Sequence, residues 1–168
     1  MPDIIQEKIA ILKIISLFKE AQQIASEYGW NNIAQPGLVK EMIIADILGH
    51  QVHKTKHDPD AFEYNNPDIR CEYLTCNNKG SFQIDRFFKH PPEKKAKSME
   101  RITRNSKIYC VVFDSKSTLD VVKIIDVDIN IFIDEVERQL ESSSNDISHI
   151  GVPISWAEKN GKTIFKKE

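Results

Sequence analysis

At 168 residues the chain is long enough to bury a core without disulfides or a structural metal, and one domain is the expectation for that length. Hydrophobic residues at 40% and charged residues at 29% separate it from disordered and membrane-spanning chains, and no apolar run approaches the ~20 residues needed to cross a bilayer. A net charge of −2 lacks a global basic signature, so a nucleic-acid partner has to be argued from local charge.

Residues 3 to 28 read as one long helix, with Ile5, Ile9, Leu12, Ile15 and Ile24 recurring near multiples of 3.6 and Tyr28-Gly29 as its stop. Ile11, Ile14, Leu17 and Phe18 widen that stripe, which predicts burial on more than one side, in the core first and at a homodimer contact second. Asp3 and Glu7 precede the apolar stretch and no small-residue cleavage site follows it, so the expectation is a cytoplasmic protein without a secretory signal. After the polar connection Trp30 to Gly37 a second helix buries Leu38, Met42, Ile43, Ala45 and Ile47 in part, with Gly49 in the left-handed position past its end. Glu41, one turn from Ala45, either faces the sheet or is solvated.

Strands are predicted at Gln51 to Thr55, Ile69 to Cys76 and Ser81 to Phe88, the last two joined as a hairpin by Asn77-Asn78-Lys79-Gly80. His90-Pro91-Pro92 breaks the chain before a helix at Glu93 to Thr103, an apolar strand at Lys107 to Asp114 and another strand at Thr118 to Val127. A helix from Asn130 to Glu141 capped by Asn130, a loop at Ser142 to Asn145, a strand at Ser148 to Val152, a short helix at Ser155 to Asn160 and a strand at Lys162 to Phe165 complete it. The sum is an α/β plan: a central mixed β-sheet flanked by helices, in one domain spanning 1–168 with an N-terminal helical segment at 1–35.

The chemistry concentrates where Asp58-Pro59-Asp60 precedes the strand bearing Glu72 by about a dozen residues. Two carboxylates from neighbouring strands can share a hard divalent cation, which takes oxygen ligands and keeps several waters. Lys94, Lys97, Arg101 and Arg104 fall along one helical stripe that can track phosphates, the bland alternative being a solvated helix face. Lys54, Lys56, Lys79, Arg70 and Arg86 can line the same groove, and Arg86, Gln83, Asn77 and Asn78 are the residue types that read purines. The chain carries no dinucleotide-binding or phosphate-binding glycine loop and no GxSxG elbow. Three cysteines leave one odd under any pairing, which fits reduced thiols, and Cys71 and Cys76 would face opposite sides of a strand, which disfavours zinc shared with His50, His53 and His57.

In order and context these segments resemble the PD-(D/E)XK nucleases, and within them the type II restriction endonucleases: the helix carrying Glu41, then His53 to Asp60, then Cys71-Glu72-Tyr73, then Gly80 to Arg86. The resemblance covers roughly residues 36 to 165. It implies a restriction endonuclease-like fold and hydrolysis of phosphodiester bonds in double-stranded DNA with Mg²⁺, or Mn²⁺, held by Asp60 and Glu72, with Glu41 as a further acid of the site. It also implies a homodimer, one site per strand, and a DNA methyltransferase as partner in the same system. The sequence departs from the family at Leu74, where a lysine is expected two residues after the strand acid. Either another lysine supplies the charge, with Lys56 the first choice and Lys54 and Lys79 also near, or the chain is a catalytically impaired nuclease-fold protein that binds DNA.

Overall fold

The computed structural model describes residues 4–55 and 58–168, and of Asp85 the backbone only. In chain order the elements are α1 (Ile4–Glu27), α2 (Leu38–Leu48), β1 (His50–Val52), β2 (Ala61–Glu63), β3 (Asn66–Asn77), β4 (Ser81–Phe88), α3 (Pro92–Thr103), β5 (Lys107–Phe113), β6 (Val121–Val127), α4 (Ile129–Ser142), β7 (Ile147–Pro153), α5 (Ile154–Asn160) and β8 (Gly161–Lys166). They group into two compact units, one ending at Val39 and one from Lys40 onward.

In the first unit Gln22 ties the end of α1 to the loop after it: its Nε2 donates to Ser26 Oγ and Asn31 O, and its Oε1 accepts from the Ile33 N–H at 2.9 Å. Gly29, at φ 91°, ends the helix, and the Trp30 N–H returns to Ala25 O. The expected core packing of α1 is not found. Ile5, Ile9, Ile11, Leu12, Ile14, Ile15, Leu17, Phe18 and Ile24 are each 45–65% exposed, and Ala25 is the buried residue of the helix. Apolar side chains surround α1, so that its periodicity identifies a helix without singling out a face to bury.

The second unit is built on β5, whose run Ile108 to Phe113 is buried on both faces and therefore central. It pairs in parallel with β3, in antiparallel with β6, and the sheet runs β1-β2-β3-β5-β6-β8. A parallel β3–β5 pair demands a crossover, and the segment holding β4 and α3 provides it. Along β3 and β5 the even positions Leu74, Cys76, Ile108, Cys110 and Val112 face one core, closed by Met99 and Ile102 of α3, Phe132, Val136 and Leu140 of α4, and Ala157 of α5. The odd positions Tyr73, Tyr109, Val111 and Phe113 fill the other side, where Lys40 of α2 lies 4.6 Å from the Phe113 ring. The architecture is thus a mixed central sheet flanked by helices.

Several local expectations change. The Asn77 to Gly80 turn forms, with Asn77 accepting from the Lys79 and Gly80 N–H groups, but β4 makes no hairpin with β3; it pairs with β7 in a separate sheet. Turn chemistry fixes a reversal of the chain, not the edge the next strand takes. An irregularity between Ile84 and Phe87, with Arg86 at φ 60°, lets both side chains enter the core. The cap of α4 is Asp128 rather than Asn130: its Oδ1 accepts from the Asn130 and Ile131 N–H groups. β1 stops at Val52, short of Thr55, and β2 is a strand the sequence did not announce. β6 starts only at Val121, because Asp114 Oδ1 accepts from the Lys116 and Ser117 N–H groups and holds a turn there. Among the described residues no helix is long and apolar enough to cross a membrane.

Candidate active site

The antiparallel register ends at Ala61↔Cys71, and the next residue on each side is Asp60 and Glu72, near enough for the charge of Asp60 to act on Glu72. The Asp60 backbone continues the ladder, its carbonyl accepting from the His53 N–H at 2.9 Å, while its Oδ2 accepts from the Tyr73 N–H at 2.7 Å. The neighbouring Asp58 stays on the turn, exposed, with Thr55 Oγ1 hydrogen-bonded to its carboxylate and His53 Nδ1 3.5 Å from it.

Both acids are harder to ionise than usual. Burial raises Asp60 above the usual carboxylate range, against the Tyr73 hydrogen bond and the Arg104 charge. Glu72 is pushed up to about 8, first by burial and then by the charge of Asp60, with Arg104, Arg101 and the Asn105 hydrogen bond opposing. A divalent cation would relieve both burial and mutual repulsion, and two carboxylates suit a hard ion that retains waters.

The end of α3 closes the site. Arg104 Nη2 stands 3.7 Å from Glu72 Oε2 and donates to Asp58 O at 3.2 Å. Asn105, 6% exposed, donates from Nδ2 to Glu72 Oε2 at 3.3 Å and to Arg101 O at 2.8 Å, while its Oδ1 is buried with no hydrogen-bond partner. That carbonyl oxygen is of the kind that can ligate a hard cation or accept a hydrogen bond from a water bound to one. Among the described residues no group of three or more His, Cys, Asp and Glu is placed to hold a metal.

The remaining expected residues are distributed as follows. Glu41 is half-buried on α2, and its charge is felt by the Tyr73 phenol, which alternation places on the face opposite Glu72. On that face His50 Nδ1 meets Tyr73 Oη at 2.7 Å and stacks on its ring. Leu74 follows Glu72 on the same face but is buried in the core cluster. Lys56 lies outside the described residues, and Lys54 and Lys79 are exposed. Gln83 and Arg86 are exposed on β4, in the smaller sheet. Of the basic stripe, Lys94 and Lys97 are exposed, with Lys94 over the Phe88 ring at 5.7 Å, whereas Arg101 and Arg104 act on the acids. Asn105 carries no sequence signal: it is one more polar residue in the turn that follows α3, where Arg104 is the cap. A scan against family models and a search of curated proteins found no match to the chain.

Proposed function

We propose that the chain is a metal-dependent nuclease of the PD-(D/E)XK kind, of the type II restriction class, that hydrolyses phosphodiester bonds in double-stranded DNA. The observation that carries this reading is the neighbouring pair Asp60 and Glu72, two half-buried, mutually repelling carboxylates with a guanidinium beside them. The order α2, β1-β2-β3, α3, then β5 parallel to β3 suits the resemblance, with the acids on β3 and at the start of β2. Mg²⁺ or Mn²⁺ bound between the carboxylates would supply a Lewis acid for the phosphate and a more acidic water. Asp60 and Glu72 would hold the ion, and Tyr73 N–H orients the carboxylate of Asp60. Lys94, Lys97 and Arg101 offer exposed cations along α3 that position the duplex by its phosphates.

The homodimer of this reading is supported by α1, whose exposed isoleucines and leucines a second copy would cover, as two-fold symmetry on a palindromic target requires. In the same reading a DNA methyltransferase protects the host's own sites. Plasmid digestion with Mg²⁺ or Mn²⁺, beside Asp60→Asn and Glu72→Gln, tests the proposal: cutting by the wild type and its loss in both variants is the expected result. A second reading, a DNA-binding protein without turnover, is favoured by Leu74, which leaves no lysine on the strand. A gel shift in Ca²⁺ with no cutting in Mg²⁺ or Mn²⁺ would decide for it.

A further inference from the structure

We propose that Arg104 and Asn105 form a cationic arm of the Asp60–Glu72 site, delivering from the end of α3 a positive charge and a side-chain hydrogen bond to Glu72, where β3 itself gives only the Tyr73 N–H to Asp60; this rests on the nuclease reading above. Leu74 shows why β3 cannot supply them. It shares a face with Glu72, but that face passes from polar to apolar between the two residues, and Leu74 packs in the cluster that includes Cys110, Met99 and Ile102. A cation for the acids has to arrive from the layer covering this face, and α3 is that layer.

The arm is built rather than incidental. Arg104 ends the helix in the αR conformation, its N–H directed to Glu100 O and Ile102 O, and the Asn105 N–H returns to Ile102 O. The next residue ties the segment to the acid strand: Ser106 N–H donates to Arg70 O at 2.8 Å and Ser106 Oγ accepts from the Arg70 N–H, two residues from Glu72. From this anchor Arg104 spans both segments that bring the acids, reaching Asp58 O before β2 and Glu72 Oε2 on β3. Asn105 holds the same Glu72 oxygen from a buried position, so the carboxylate has a fixed orientation.

The two residues have different roles. A guanidinium does not give up its proton near neutrality and matches phosphate oxygens with paired donors, so Arg104 stabilises charge on the transferring phosphate and moves no proton. Asn105 acts through Glu72 and is a positioning residue; outer groups that orient a ligand carboxylate are worth 10–100-fold in metal affinity.

The test uses the full chain, with Mn²⁺ affinity measured without DNA, DNA affinity by gel shift in Ca²⁺, and single-turnover cleavage in Mg²⁺. Arg104→Ala should bind Mn²⁺ more tightly, because a cation is removed from beside the ion, and should cleave ~10²-fold more slowly with DNA affinity little changed. Arg104→Lys, which keeps the charge and the helix end, should fall between, and guards against a variant that fails to fold. Asn105→Ala should bind Mn²⁺ more weakly. Mn²⁺ affinity and cleavage unchanged in Arg104→Ala would overturn the arm and leave the Asp60–Glu72 site standing. A wild type that binds no Mn²⁺ would overturn both. Tighter Mn²⁺ binding by Arg104→Ala in a protein that never cuts would keep Arg104 and Asn105 at the ion site and overturn the role of Arg104 on the transferring phosphate together with the nuclease reading.

Discussion

One face of β3 holds two environments two residues apart. At Leu74 and Cys76 it is core, sealed by α3, α4 and the β4–β7 sheet, whereas at Glu72 it carries a carboxylate near another and attended by Arg104 and Asn105. The difference comes from what α3 puts above each position: Met99 and Ile102 over the apolar part, Arg104 and Asn105 over the acids. A strand alternates its faces strictly, so a change along a single face has to be made by the covering layer. The same helix therefore closes the core and furnishes the site.

The strongest way to break that contrast is Leu74→Lys, which puts on the strand the lysine that the proposed nuclease reading expects there. Opposite Leu74 stands Cys110, fully buried, so the new ammonium would enter an apolar pocket unless it snorkels toward Glu72. We expect a loss of ~3–5 kcal/mol in urea-induced unfolding, the range for an uncompensated buried charge. A variant as stable as the wild type would mean that the lysine reaches the acids, and the boundary between core and site would then lie beyond Leu74.

The next effect is a pH dependence of stability set by Glu72. Its carboxyl ionises at the ordinary 4.5 when unfolded and at about 8 when folded, so over that window the folded state keeps a proton the unfolded state has lost. Stability should fall as pH rises through this window, with the loss complete above about 8 and on the order of a few kcal/mol. Asp60, raised for the same first reason, acts in the same direction. Thermal unfolding from pH 5 to 9 should show the decline, and Glu72→Gln should flatten it. Millimolar Mg²⁺ should restore the alkaline end by binding the folded state alone. A flat profile in the wild type would mean that the pair is wetter than its burial implies.

How much of this the sequence disclosed depended on whether the cause was local. α4 was legible because Phe132, Val136 and Leu140 make a narrow stripe, and they are the residues it buries. α1 was legible as a helix but not in its burial, since a helix apolar all round gives no face to choose. The pairing of β4 with β7 depends on contacts between residues far apart in the chain, from Ser81↔Pro153 to Phe88↔Ile147, which no turn signal encodes. Asp60 and Glu72 stand out in the sequence by their order and spacing, and the antiparallel approach of β2 to β3 is what brings them near each other. The sequence puts Arg104 in a phosphate-tracking stripe and gives Asn105 no signal, because what matters for both is the fold of α3 over β3.

The smallest expected effect concerns the tether that holds the acid end in place. Ser106 Oγ accepts from the Arg70 N–H and donates to Asp68 O, both at 3.3 Å, on an exposed segment. Ser106→Ala removes these long bonds but keeps the stronger backbone bond from Ser106 N–H to Arg70 O, so stability should drop by only ~0.5–1 kcal/mol. The site should be more sensitive than the fold, because Asn105 has to hold Glu72 to within a fraction of an ångström for both carboxylates to serve one ion. A several-fold loss of Mn²⁺ affinity with almost unchanged unfolding is therefore the expected outcome. Equal effects on both, or neither, would mean that the Asn105–Glu72 contact is maintained by the core beneath α3 and not by the segment that follows it.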